Sequence, residues 1–152
     1  MLTNSLHERE LYKELFPLAD SLGYTVVDVQ DSVIRRERHV HLVIKNREGS
    51  TSLNDCSAVS RLVYPRLSVL FDSRDIHLEV SSPGLQRNMK DISEFAVFLG
   101  EHIRILVGDQ WHYGNLTSYD GTQVVLSNEQ GVQDFDVHTI KKAKLASSLK
   151  EN

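Results

Sequence analysis

Two hydroxyl side chains followed by a tight turn are the first feature of this sequence that could support chemistry. Ser81 and Ser82 precede Pro83 and Gly84, and Arg87 follows. Proline fixes one backbone angle and glycine permits a left-handed one, so the turn is expected to be rigid. Hydroxyls can bond a partner's carbonyl or phosphate, and a guanidinium suits carboxylate or phosphate. A structural turn between two domains, whose serines only cap backbone groups, is the alternative.

Catalysis by these serines is not expected. A nucleophilic serine needs an adjacent base and a third group that orients the base. The chain has 7 histidines that could act as bases, but no nucleophile-elbow pattern surrounds Ser81 or Ser82. We therefore predict that the protein is not an enzyme.

Three histidines, His39, His41 and His77, are predicted on the solvent-facing side of one sheet. A His-x-His pair on one strand with a third histidine on a neighbouring strand could bind zinc. The absence of a cysteine cluster and of a carboxylate at ligand spacing favours an exposed polar face instead. Cys56 is expected to be a small core residue on a helix. The sequence thus predicts no metal and no cofactor.

Arginines cluster in the predicted loop of the first hairpin, at Arg35, Arg36 and Arg38. Such a loop could bind phosphates. Asp31 and Glu37 flank the cluster, so a solvated loop explains it equally well.

Aromatic side chains on later strands, at Trp111, Tyr113 and Tyr119, could stack on a base or dock a peptide, although core packing is their commoner use. The sequence lacks the Gly-x-x-Gly clamp and the strand aromatic pair of two common RNA-binding modules.

Composition narrows the classes of protein to consider. The chain has 152 residues, 40% hydrophobic and 25% charged, with a net charge of −4. This charge argues against generic nucleic-acid binding, because a basic surface supplies most of that affinity. Residues 1–90 carry 12 basic and 12 acidic side chains, whereas residues 91–152 carry 5 and 9. The acidic second part could attract a basic protein.

Targeting signals are not visible. No apolar run approaches the roughly 20 residues that span a bilayer, and residues 1–10 lack the basic and apolar regions of a secretory signal. The single cysteine fits a reducing compartment. These features predict a cytoplasmic location.

Hydrophobic periodicity predicts a compact α/β unit in the first part of the chain. Val40, Leu42 and Ile44 are expected to face its core, and Pro17 and Pro65 to kink or restart its helices. In chain order, the predicted elements are a helix over 4–22 ended by Gly23, a strand over 24–30, a hairpin loop over 33–37, a strand over 38–45, a helix capped by Ser52 with Asp55 favouring its N-terminus, and a strand over 75–80.

The second part is predicted to be a small SH3-like barrel. A short helix over 91–99, capped by Asp91, comes first. Strands over 102–107, 111–119, 123–127, 133–137 and 141–145 follow, with a helical turn at 138–140. The predicted domains are 1–87 and 91–152, the latter with a frayed tail over 146–152.

Several segments, in the same order, resemble the ribosome maturation factor RimP family, and the resemblance covers nearly the whole chain. They are the helix-to-strand passage over 22–29, the start of the second helix over 53–61, the stretch over 78–85 and the stretch over 95–100. The stretch over 78–85, Leu-Glu-Val-Ser-Ser-Pro-Gly-Leu, is the most specific. After it the chain departs from the family pattern, with Gln86 in place of an acidic residue and Asn88-Met89 in place of Pro-Leu.

The resemblance implies an α+β protein with a KH-like N-terminal α/β domain (helix-hairpin-helix-strand) and a C-terminal SH3-like (Sm-like) β-barrel. It implies a monomeric, non-enzymatic factor without a cofactor that binds the free 30S ribosomal subunit and assists its late maturation. The implied partners are 16S rRNA and a basic small-subunit protein near the decoding region. A general RNA-binding module that is not specific to the ribosome is the alternative.

The predicted binding residues follow from the turn and the first hairpin. Partner-binding residues are Ser81, Ser82, Pro83, Gly84, Leu85 and Arg87, and possible rRNA contacts are Arg35 and Arg36.

Overall fold

The computed structural model describes residues 1–72 and 75–146, which form two compact units. The first unit is Leu6–Pro83, and the second is Met1–Ser5 with the described residues from Gly84 onward. The predicted domain boundary between Arg87 and Asp91 stays a prediction. Residues 147–152 of the predicted tail lie outside the described residues. None of the helices in the described ranges is long and apolar enough to cross a membrane.

The first unit follows the predicted order of helix, hairpin, helix and strand. After a 3-10 turn at Leu6–Glu8, its elements are α1 (Glu10–Ser21), β1 (Tyr24–Ile34), β2 (Glu37–Asn46), α2 (Leu53–Phe71) and β3 (Ile76–Ser81). The sheet order is β1-β2-β3, with β1 antiparallel and β3 parallel to β2. Parallel neighbours need a crossover connection, which α2 supplies.

The core of the first unit lies between the two helices and one face of the sheet. Val40, Leu42 and Ile44 of β2 are buried with Leu15 of α1 and Val63 of α2, which confirms the predicted inward residues. Because side chains alternate along a strand, the residues between them face away from the helices. Full burial of each such side chain contributes about 1.5–3 kcal/mol.

Element lengths differ from the prediction in three places. The N-terminal helix begins at Glu10 instead of residue 4. Strand β1 continues to Ile34, because the hairpin turn contains only two residues. Helix α2 runs through Pro65 without a restart, since buried side chains on both sides of the proline hold it to the core.

The second unit is built on an antiparallel sheet. Its elements are α3 (Glu94–Val97), β4 (His102–Val107), β5 (Gln110–Tyr119), β6 (Gln123–Asn128), β7 (Gly131–Asp136), a 3-10 turn (Val137–Thr139) and β8 (Ile140–Leu145). The five predicted strands and the helical turn are confirmed. The order β7-β6-β5-β4-β8 leaves β7 and β8 as edge strands in the part of the chain that the structure describes.

The helix predicted over 91–99 has only four residues, and its N-cap position belongs to Ser93 instead of Asp91. The Asp91 carboxylate still accepts a hydrogen bond from the Ser93 N–H at 3.0 Å. It also accepts hydrogen bonds from the Thr3 hydroxyl at 2.6 Å and the Ser5 N–H at 2.9 Å. It is therefore used to hold residues 1–5 in the second unit.

Buried Asp91 remains the anionic partner in this arrangement. Burial raises the pKa of Asp91, but hydrogen bonds from Ser93, Thr3 and Ser5 outweigh it and leave the pKa below its ordinary value. A backbone bridge between Thr3 and Asp91 completes the attachment, with the Thr3 N–H donating to the Lys90 carbonyl at 2.9 Å.

The predicted Ser52 cap of α2 is confirmed, and it forms a capping box with Asp55. The Asp55 N–H donates to the Ser52 hydroxyl at 3.1 Å, and the Ser52 N–H donates to the Asp55 carboxylate at 2.7 Å. The Tyr24 hydroxyl also donates to this carboxylate. The Ser52 N–H, followed by the Tyr24 hydroxyl, lowers the pKa of Asp55 from 3.8 to about 2.

We predict that Asp55→Asn lowers the free energy of unfolding at pH 7, because the variant loses a carboxylate that accepts hydrogen bonds from Ser52, Tyr24 and Asn46. An aspartate in the unfolded chain titrates near pH ~3.9, so the stabilisation is present above about pH 4 and lost as pH falls towards 2. Urea unfolding of both proteins from pH 7 to pH 3 should show the difference shrinking. Glu48→Gln is the control, and a difference that does not change with pH would contradict this account.

Candidate functional site

The predicted partner-binding residues lie in residues 81–87, here called the connecting segment, because the chain passes through it from the first unit to the second. Ser81 ends β3, and Ser82 is exposed. Gly84 has a φ of 78°, a conformation that favours glycine. Leu85 is 68% exposed. The segment thus presents a hydroxyl and an apolar side chain to solvent.

Ser81 differs from Ser82 because its hydroxyl is already bonded. Its Oγ lies 2.8 Å from Nε2 of His41, on the sheet face that points away from the helices. This is a serine–base contact that the sequence did not reveal. Within residues 1–72 and 75–146, no hydrogen bond orients the other ring nitrogen of His41. The contact therefore lacks the third group that serine nucleophiles use.

Arg87 does not point freely outward as the sequence suggested. Its Nε and Nη2 donate to the two carboxylate oxygens of Glu94 at 2.9 and 3.0 Å. The Glu94 side chain is fully buried, and that of Arg87 is 10% exposed. A direct contact between Arg87 and a partner stays a prediction, whereas its contact with Glu94 gives it a structural role.

Glu94 also organises the backbone after the connecting segment. Its Oε2 accepts hydrogen bonds from the Lys90 N–H at 2.7 Å and the Asp91 N–H at 3.2 Å. Burial raises the pKa of Glu94, while Arg87 and the two backbone donors favour the charged form. Sequence reasoning missed this residue. The signal was a single carboxylate beside the apolar run over 95–99.

The two predicted rRNA contacts, Arg35 and Arg36, form the turn between β1 and β2. They are the only residues between the paired Ile34 and Glu37, and their φ angles are 54° and 70°. Such turns favour Asn and Gly, because other residues in the left-handed region cost roughly 1–2 kcal/mol each. Both arginines are exposed.

The acidic residues that flank this turn have other partners. Asp31 pairs with Arg38 at 3.3 Å, and Glu37 contacts His77 at 2.7 Å. Among the residues that the structure describes, neither Arg35 nor Arg36 forms an ion pair. The solvated-loop alternative stays open, but the flanking acids do not neutralise the two cations directly.

Within the first unit, the turn and Ser81 lie at opposite ends of the sheet. Because β3 runs parallel to β2, Ile76 pairs with Arg38 near the turn, and Ser81 pairs with Val43 at the far end. The length of β3 separates them by about 17 Å. The structure therefore provides two distinct candidate contact regions.

The three predicted histidines do not form a single cluster. His39 and His77 are paired across β2 and β3 with stacked rings 4.7 Å apart, whereas His41 contacts Ser81. Glu37 supplies the carboxylate that the sequence analysis found missing, since residues two apart on a strand share a face. The ligand atoms of Glu37, His39 and His77 lie within 4.8 Å of one another, so these residues could hold a metal ion. The absence of a metal stays a prediction.

Aromatic residues of the second unit fall into two groups. Tyr119 is half-buried and lies 5.7 Å from the Phe95 ring, as core packing predicts. Trp111 and Tyr113 are 46% and 55% exposed, so core packing does not describe them. Alternation along the first part of β5 was the available signal, because Leu116 faces inward and the odd-numbered residues before the bulge at 116–118 face outward.

Comparison with protein families shows what the first unit is related to. Residues 14–86 match the RimP N-terminal domain. This stretch of the chain is a RimP N-terminal domain. The match includes nearly all of the first unit and ends at Gln86, so the RimP N-terminal domain contains the exposed part of the connecting segment. RimP proteins are ribosome maturation factors.

We predict that Arg87→Ala lowers the free energy of unfolding by about 3–5 kcal/mol, because it leaves Glu94 buried without its charged partner. The exposed Leu85→Ala should change it by no more than about 0.5 kcal/mol. Urea unfolding monitored by the fluorescence of Trp111 measures both.

A paired replacement separates the cost of an unpaired charge from the loss of packing. Arg87→Met/Glu94→Leu should recover much of the stability that Arg87→Ala loses, since no buried charge remains. If Arg87→Ala were as mild as Leu85→Ala, the structural role of Arg87 would be wrong.

Proposed function

We propose that this protein binds the free 30S subunit and assists its late maturation without catalysing a reaction. The membership of residues 14–86 in a ribosome maturation factor family carries this proposal. The exposed Ser82 and Leu85, held in a turn that the family match reaches, support a role in binding.

Finer features of the fold belong to the same proposal. Two helices on one face of a three-stranded sheet support a KH-like first unit. Five short antiparallel strands with a 3-10 turn before the last support an SH3-like (Sm-like) second unit.

The connecting segment is proposed to contact a basic small-subunit protein near the decoding region. The Leu85 side chain offers an apolar anchor, and Ser82 and the backbone around Pro83 and Gly84 offer hydrogen bonds. Residues 91–152 carry an excess of acidic side chains, 9 against 5, which favours approach of a basic protein. Arg87 supports this contact by fixing the following backbone through Glu94.

The turn at Arg35 and Arg36 is proposed to contact phosphates of 16S rRNA. Its two guanidiniums are exposed, and their left-handed backbone has a conformational cost that a neutral Asn-Gly turn would avoid. A cost retained at exposed residues is typical of functional sites. The proposed action is binding-driven: the factor stabilises one conformation of an immature region and dissociates when the site is complete.

The absence of catalysis, a cytoplasmic location and a monomeric state are parts of this proposal. The Ser81–His41 contact is read as structural, because it ties the end of β3 to β2 and lacks an orienting third group within the described residues.

We predict that Ser82→Ala/Leu85→Ala weakens co-sedimentation with free 30S subunits by roughly tenfold, about 1.4 kcal/mol. Leu53→Ala/Ser57→Ala is the matched control, since it removes an exposed leucine and an exposed serine from α2. Sucrose-gradient binding should also show much less protein on 70S ribosomes than on free 30S subunits. Equal binding to both particles would refute the proposal.

A general RNA-binding module is the second candidate, and the exposed arginine turn is the observation that favours it. We predict that Arg35→Asn/Arg36→Gly raises the free energy of unfolding by about 2–4 kcal/mol, because these residues accept positive φ. The same variant should bind 30S subunits more weakly, with a smaller dependence on salt by about 0.7–0.9 in log–log slope per lost phosphate contact.

Opposite changes in stability and binding distinguish a phosphate contact from a damaged fold. Unchanged 30S binding in the stabilised variant would exclude the arginines as rRNA contacts. Equal affinity for unrelated isolated RNA and for 30S subunits would favour the general module.

A further inference from the structure

One face of the second unit's sheet combines exposed aromatic rings with cations. In the strand register, Arg104 lies opposite both Tyr113 and Lys144, and Leu106 lies opposite both Trp111 and Lys142. Directly paired residues point to the same side of a sheet. The alternating residues of β4, Ile103 and Ile105, are buried on the other side. We call Arg104, Trp111, Tyr113, Lys142 and Lys144 the aromatic–cationic face.

The aromatic rings of this face are available to a ligand. Trp111 is 46% exposed and Tyr113 is 55% exposed. The Arg104 guanidinium lies over the Trp111 ring, 5.3 Å from its centroid. Two large aromatic side chains held side by side in solvent mark a binding surface more often than isolated exposed residues do.

Charge on this face is opposite in sign to that of the rest of the second unit. Residues 91–152 contain 5 basic and 9 acidic side chains, and Arg104, Lys142 and Lys144 are three of the five basic ones. Two of the nine acidic residues, Asp91 and Glu94, are buried and hydrogen-bonded internally. The net charge of the chain therefore hides a local positive surface.

We propose that the aromatic–cationic face binds single-stranded RNA, with bases stacked on Trp111 and Tyr113 and phosphates bound by Arg104, Lys142 and Lys144. The two rings stand two residues apart on one strand, about 7 Å, so neighbouring bases of an extended strand can each stack on one ring. Aromatic platforms beside cations are the usual means of binding single strands without sequence readout.

The three cations decide between RNA and a protein as the occupant. They would repel the basic ribosomal protein proposed to contact the connecting segment, whereas they complement phosphates. This inference rests on the proposed function, since unfolded rRNA of an immature 30S subunit is the single strand that such a factor would meet.

Trp111 makes the test specific, because it is the only tryptophan in the chain. Titration of the full-length protein with a 12-nucleotide oligouridine RNA at low salt should quench tryptophan fluorescence in a saturable manner. Tyr113→Ala should weaken binding roughly fivefold to a hundredfold, and Tyr113→Phe, which keeps the ring, should bind like the wild type.

Two charge-reversal variants distinguish the effect of charge on the aromatic–cationic face from the effect of the protein's net charge. Lys142→Glu/Lys144→Glu should weaken binding at least tenfold and reduce its salt dependence. Lys13→Glu/Arg61→Glu has the same net charge but changes exposed residues of the first unit, and it should bind RNA like the wild type. Circular dichroism checks that every variant is folded.

The outcomes are distinct. Absence of quenching by RNA, or equal weakening by both charge variants, overturns the inference. Loss of 30S binding in Tyr113→Ala without any RNA binding by the wild type would show that the face docks a protein, which also overturns it. RNA binding through this face without 30S association would support the inference while refuting the proposed function.

Discussion

A single buried carboxylate, that of Glu94, fixes the stretch of chain that has neither helix nor strand. It accepts both nitrogens of Arg87 and the backbone N–H groups of Lys90 and Asp91. Burying a charge costs several kcal/mol unless its hydrogen bonds are satisfied, so these donors must stay close to it. The same stretch also pairs with β8 through its backbone, because the Leu145 N–H donates to the Arg87 carbonyl and the Met89 N–H donates to the Ala143 carbonyl, each at 2.9 Å. Leu85 lies two residues before Arg87, so these contacts fix the backbone that follows this exposed side chain.

The opposite situation holds at the first hairpin, where the backbone conformation of the turn is costly and no ion pair among the described residues involves Arg35 or Arg36. Arg35 and Arg36 together forgo roughly 2–4 kcal/mol relative to residues that accept positive φ, a large part of the 5–15 kcal/mol by which domains are typically stable. Asp31 and Glu37 are engaged with Arg38 and His77, so these acids do not stabilise the turn. A turn that keeps two arginines at this cost is better explained by a role in binding a partner than by a role in merely connecting β1 to β2.

The sequence predicted features that depend on neighbouring residues better than features that depend on contacts between distant residues. Alternation in β2 and the Ser52 cap are local, and both were correct. The predicted helix start at Asp91 was wrong, because α3 begins at Glu94. The Asp91 carboxylate also bonds Thr3, which is 88 residues away in sequence and which no local pattern reveals. The Arg87–Glu94 pair spans an irregular segment, where no periodicity shows which side chains meet. The alternation of residues along β5 indicates that Trp111 and Tyr113 are exposed. The average preference of aromatic residues for cores favoured the opposite prediction.

Net charge is a poor guide to partners in a protein with several contact regions. The net charge of −4 predicts weak affinity of the whole chain for RNA, yet electrostatic attraction falls off over about 8 Å in physiological salt. A phosphate at the arginine turn or beside Lys142 and Lys144 responds mainly to the charges within that distance. The connecting segment carries no exposed charged side chain between Ser81 and Gln86, so its contacts depend on shape and hydrogen bonds. Salt should therefore weaken RNA contacts first and leave the connecting segment's contacts largely intact, which allows the two kinds of binding to be measured separately on one particle.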